Sequence, residues 1–176
     1  EALLSGFYVN ELLMRLTERE DIHPGLFPAY VRVIEALTHS DPAAQQRGLR
    51  RFEADLLRIC GWQVLISEGG DAPRFTLRST GDLAGVSGSF GNEIRTWERR
   101  DVLDVLEGRL ERPEALRAAR EIYREAIELR LDGRPLKTRR VLAELKRVNG
   151  DVSGSQDSRG NRRLLRGINA RVMLVR

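Results

Sequence analysis

Residues able to do chemistry are sparse in this chain, and their spacing speaks against catalysis. Cys60 is the only cysteine, and His23 and His39 are the only histidines. One thiolate can neither close an internal disulfide nor build a structural zinc site. No Cys–His, Ser–His or H-E-x-x-H spacing is present. Asp101, Asp104 and Glu107 share a helix, which reads as a solvated acidic face. Gly85, Gly88 and Gly91 recur by threes, but no Lys-Ser/Thr pair follows, so they read as turn glycines and not as a phosphate loop. A non-enzymatic protein is expected, with no catalytic residue, metal or cofactor.

The cations carry more information. The chain of 176 residues has 30 basic and 26 acidic side chains, and 28 of the basic ones are arginine. Residues 130–176 hold 13 basic and 4 acidic side chains, a net of +9, whereas residues 1–129 hold 17 and 22, a net of −5. A basic segment on a mildly acidic body points to a polyanionic partner. Arg130, Arg134, Lys137, Arg139, Arg140, Lys146 and Arg147 form the candidate phosphate-contacting strip. Aromatics for base stacking are scarce beside it; Tyr123 is nearest in sequence, and its place on the helical wheel is core.

The elements that must position these residues are mostly helical. Residues 3–16 form a helix that is apolar nearly all round, the pattern of a buried central helix. Only Glu11 and Arg15 make a polar line, and Asn10 falls on the apolar side as a buried amide. Pro24 and Gly25 break the chain, and a second helix runs to about Leu37 with Leu26, Phe27, Tyr30, Val31, Ile34 and Leu37 on its face. Asp41 and Pro42 open a third helix that stops at Gly61, with Leu49, Phe52, Leu56 and Ile59 inward and Arg47, Arg51 and Arg58 outward. A β-hairpin or three-stranded element is expected over residues 62–90. Helices resume from Glu98 to Glu107, carrying Val102, Leu103, Val105 and Leu106. Another opens at Pro113, burying Leu116, Ala119, Ile122, Tyr123, Ala126 and Ile127, and the last begins near Thr138. The fold class is therefore mainly α, a helical bundle with a small β insert. No apolar run approaches the ~18–20 residues that span a bilayer, and no secretory leader is read at the start.

Three segments resemble the RecO family of DNA repair proteins. SGFYVNELLMRL, from Ser5 to Leu16, is similar to the family's G-[FL]-Y-[LIV]-N-E-L-L-x-R-L helix. LRRFEADLLRICGW, from Leu49 to Trp62, is similar to its L-R-R-F-E-x-x-L-L-x-x-x-G-[YW] helix. GRPLKTR, from Gly133 to Arg139, is similar to G-[KR]-x-L-[KR]-[ST]-R, and HPGLFPAY, from His23 to Tyr30, also fits. Order and spacing hold over residues 1–147. The resemblance implies a helical domain at 1–148, with a zinc-less insert at 62–91 where some members carry four cysteines. Residues 149–176, which match nothing in the family, are read as a disordered basic tail. The family's N-terminal OB-fold is not in the chain, which opens on the helix expected to follow it.

What the resemblance implies for function is a recombination mediator in the cytoplasm, associated with the nucleoid. Its partners would be single- and double-stranded DNA, the acidic C-terminal tail of single-strand-binding protein, RecR and, indirectly, RecA. Its actions would be strand annealing and RecA loading, with no membrane partner. Arg50 and Arg51, with Leu57 beside Arg50 at the edge of the third helix's core face, offer the cationic rim and apolar contact that such a tail needs. The alternative is a helical interaction module that binds proteins only.

Overall fold

The computed structural model describes residues 2–17, 23–88, 94–131, 133–138 and 140–141. Among these the elements run α1 (Ala2–Leu16), α2 (Leu26–Leu37), α3 (Pro42–Ile59), β1 (Ile66–Glu68), β2 (Arg74–Leu77), β3 (Leu83–Val86), β4 (Trp97–Glu98), α4 (Arg99–Leu106) and α5 (Pro113–Arg130). The expected class is what is found: mainly α, with a small sheet. The expected helix from Thr138 lies largely outside the described residues, as does the tail from 149 to 176.

Local chemistry fixes α3 at both ends. The Asp41 carboxylate accepts from the amides of Ala43 (2.9 Å) and Ala44 (3.1 Å), two donors that the first helical turn leaves unpaired. Those bonds, the Ala43 amide foremost, hold its carboxyl below the usual range. At the other end Cys60 caps the helix and Gly61 turns out of it at φ 77°. Leu49, Phe52 and Leu56 are buried along α3 as expected of its core face, and Ile59 is only partly buried. Leu57 and Arg50 are buried where an edge position is expected, and Glu53 is buried with them.

Two helices turn different faces inward from those the sequence suggests. In α1 the buried stripe is Tyr8, Val9, Leu12 and Leu16. Leu3, Phe7 and Met14 are 73%, 54% and 81% exposed, and Asn10 is exposed too. An all-round apolar wheel does not say how much of it neighbours cover, and here the described neighbours cover one stripe. In α2 the buried line is Ala29, Val33 and Leu37, while Phe27 is 75% exposed. The cause lies in α3: a Cβ placed on Gly48 would stand 2.3 Å from the Ala36 Cβ. Such a close approach admits only a small side chain at the Gly48–Ala36 crossing, which favours turning the Ala29–Val33–Ala36 side of α2 toward α3.

The sheet has four strands in the order β1-β3-β2-β4, with β1 and β3 parallel and the other pairs antiparallel. The fourth, Trp97–Glu98, lies beyond the expected range and leads directly into α4. Gly85 is no turn residue; it sits in β3, where a Cβ would meet the Gly69 carbonyl oxygen at 2.4 Å. Phe75, Leu83 and Trp97 are buried. The Trp97 indole donates to Glu121 of α5 (3.0 Å), which ties the sheet to that helix.

The α4–α5 connection corrects another reading. Asp104 is buried, not a solvated acid, and takes ion pairs from Arg109 and Arg112 at 2.9 and 2.8 Å, while Asp101 pairs with Arg112 at 2.9 Å. The bonds from Arg112 and then Arg109 hold the Asp104 carboxyl below its ordinary value.

Candidate nucleic-acid interface

The candidate strip begins where α5 ends. Leu131 caps α5, and Gly133 takes φ 71°, a left-handed conformation open to glycine at little cost. The turn closes with the Arg134 amide donating to the Leu131 carbonyl (2.9 Å), and Leu136 is buried at 1% exposure. The chain becomes helical again at Lys137. Its free amides meet an acid from the other end of the sequence. The Glu11 carboxylate accepts from the amides of Lys137 (2.7 Å) and Thr138 (2.9 Å) and from the Thr138 hydroxyl (2.7 Å). Arg15, one turn on along α1, donates to the Arg134 carbonyl at 3.1 Å. Partial burial would raise the Glu11 carboxyl, but the bonds from Thr138 and Lys137 and the charge of Arg15 together hold it below the ordinary value.

Residues 134–138 are therefore anchored by their backbone, with the cations Arg134 and Lys137 outward. Arg134, Lys137 and Arg140 are exposed. Among the described residues, neither Arg134 nor Lys137 has a side-chain hydrogen bond or ion pair. Arg130 is different: its guanidinium lies over the Trp62 ring, 5.5 Å from the centroid, and donates to the Thr80 carbonyl at 2.7 Å. It is committed to holding the insert against α5, with Trp62 stacked beneath it. Arg139, Lys146 and Arg147 lie outside the described residues. Sequence reasoning missed Glu11 and Arg15 as anchors, although the signal existed: one polar line on an otherwise apolar helix asks for a polar partner.

The second candidate group separates. Leu57 is 1% exposed and Arg50 is 6% exposed, so neither stands at an accessible edge. Arg50 pairs with Glu53 at 3.0 Å inside the helical core, where the Tyr8 hydroxyl also donates to Glu53 (2.6 Å). The wheel misplaced Arg50 because it cannot show that a buried carboxylate waits one turn on. Arg51 is at the surface, on the rim of a cleft of about 260 Å³ between α2 and α3. Val33, Ala36 and Phe52 give the cleft apolar lining and Glu35 and Asp55 give it acids; on its rim Arg32 pairs with Asp55 at 2.9 Å and Arg51 with Glu111 at 3.8 Å.

Elsewhere the described residues hold no group of three or more His, Cys, Asp or Glu placed to take a metal ion. Among them no helix is long and apolar enough to cross a membrane. Burial pushes the Cys60 thiol up, away from the reactive thiolate form.

Fold and site define a class first: a mainly helical domain with a small mixed sheet tied to α5, and a cationic segment tied to α1. Residues 1–71 match the family model described as Recombination protein O C terminal. The chain is 37% identical over 161 residues to the DNA repair protein RecO of Aromatoleum aromaticum, covering 84% of this chain and 63% of that protein. It is 33% identical to the RecO of Ralstonia nicotianae, covering 84% of this chain and 56% of the relative. Against the RecO of Cupriavidus metallidurans it is 34% identical, covering 82% and 50%. The chain belongs to the RecO family, and it spans between half and just under two thirds of the length of these relatives.

Proposed function

We propose that this chain supplies the helical part of a recombination mediator in DNA repair, a non-enzymatic protein of the cytoplasm and nucleoid. In this reading it binds single- and double-stranded DNA through backbone phosphates, alongside protein partners, in strand annealing and RecA loading. The observation that carries it is the state of the surface cations. Arg47, Arg74, Arg78, Arg95 and Arg124 each face an acid within 3.3 Å or less. Arg134 and Lys137, like Arg100, Arg117 and Arg120, face none among the described residues, and what sets these two apart is a shared turn of backbone held in place by Glu11 and Arg15. Cations left unneutralised on an ordered turn suit phosphate contact, which needs no base-specific geometry. Fluorescence anisotropy with a labelled oligonucleotide tests the reading. Replacing Arg134, Lys137 and Arg140 together by glutamate should weaken binding at least tenfold on every sequence tried. Unchanged affinity would reject the strip.

The α2–α3 cleft favours a second reading, protein recognition without DNA. Its apolar residues and the arginines Arg32 and Arg51, once an acidic peptide ending in an aromatic residue displaces their partners Asp55 and Glu111, fit the chemistry of the single-strand-binding protein tail. RecR would be a further partner. In peptide titration, Arg51→Glu should weaken binding about tenfold, the loss of one charge-assisted contact. An undiminished affinity would move the receptor elsewhere.

A further inference from the structure

Glu11 and Arg15 are one turn apart on α1, and both reach more than a hundred residues along the chain to the same short segment. On the segment's side every bonded group is a backbone amide, a backbone carbonyl or the Thr138 hydroxyl. The charged ends of Arg134 and Lys137 take no part. The anchors therefore fix where these cations stand without neutralising them. Leu136, buried between the two cations in sequence, holds the segment from within.

We propose that Glu11 and Arg15 are positioning residues for nucleic-acid binding, which hold residues 134–138 on α1 so that Arg134 and Lys137 meet successive phosphates as a fixed pair. This rests on the DNA-binding reading above. The physical gain is entropic: cations on an ordered backbone lose less freedom on binding than the same cations on a loose one. The sign makes the idea testable. By charge alone, removing the Glu11 carboxylate beside a phosphate site should tighten binding. By positioning, it should loosen it.

The experiment titrates a labelled single strand with the 176-residue chain and follows amide hydrogen exchange in parallel. Glu11→Gln should bind about fivefold more weakly, although it makes the chain more cationic, and the amides of Lys137 and Thr138 should exchange faster. On an Arg134→Gln/Lys137→Gln background Glu11→Gln should add no further loss, because it acts through those two side chains. Thr138→Val removes only the hydroxyl donor and should give a smaller loss in the same direction, which keeps the test open if Glu11→Gln folds poorly. Equal or tighter binding by a folded Glu11→Gln, unaltered exchange at Lys137 and Thr138, or a full additional loss on the double-variant background would overturn the positioning role and leave the DNA reading standing. If Arg134→Gln/Lys137→Gln itself binds like the unaltered chain, the DNA reading of the strip fails and the proposal falls with it.

Discussion

A buried arginine needs a reason, and Arg50 has one in Glu53. Their side chains are 7% and 0% exposed, 3.0 Å apart, and the Tyr8 hydroxyl completes the contact at 2.6 Å from Glu53. Burial first, and then the Glu53 charge, push the neighbouring Tyr123 phenol far above its ordinary value, so it stays a neutral donor to the Val105 carbonyl at 3.3 Å. A charge pair so enclosed adds little net stability, but breaking it strands the survivor. Arg50→Glu places a second carboxylate against Glu53 and should cost about 3–5 kcal/mol of folding free energy. Thermal denaturation measures it, and a melting temperature equal to that of the unaltered chain would refute the buried pair. From the sequence alone Arg50 and Glu53 look like any i,i+3 surface pair. Only the elements packed over them turn the pair inward, which is why their burial was not legible while the Asp41 cap was.

At the scale of elements, legibility follows how local the cause is. The ends of α3 are written in Asp41, Pro42 and Gly61, each acting on its own turn of backbone, and the structure places both as read. The inward face of α2 is set by a residue on another helix, Gly48, and no wheel drawn for α2 contains it. β4 is two residues long, and its pairing with β2 spans more than twenty positions, so no periodicity announces it. Gly48 of α3 lies directly against Ala36 of α2. Gly48→Ala sets a methyl against Ala36 and should cost about 1–3 kcal/mol, the range for overpacking, even though alanine is the better helix former by about 1 kcal/mol. Urea denaturation decides the sign: a stabilised variant would mean that the helices part at no cost and that Gly48 does not set their spacing.

Over the whole molecule, charge is sorted more sharply than composition suggests. Residues 1–129 carry a net of −5 and residues 130–176 a net of +9, and in the first part many of the arginines are tied up in ion pairs with nearby acids. The sequence showed this division but not its anchoring, because the bonds from Glu11 and Arg15 cross more than a hundred residues. Net negative charge in residues 1–129 repels a polyanion and unpaired cations such as Arg134 and Lys137 attract it, so binding should be governed by counterion release at those cations. The most direct test of the central claim is the salt dependence of single-strand binding by the unaltered chain. Two phosphate contacts, from Arg134 and Lys137, predict a linear plot of log affinity against log salt with a slope of about −1.4 or steeper, at about −0.7 per contact, and alike for unrelated sequences. Affinity that stays flat as salt rises would contradict the account.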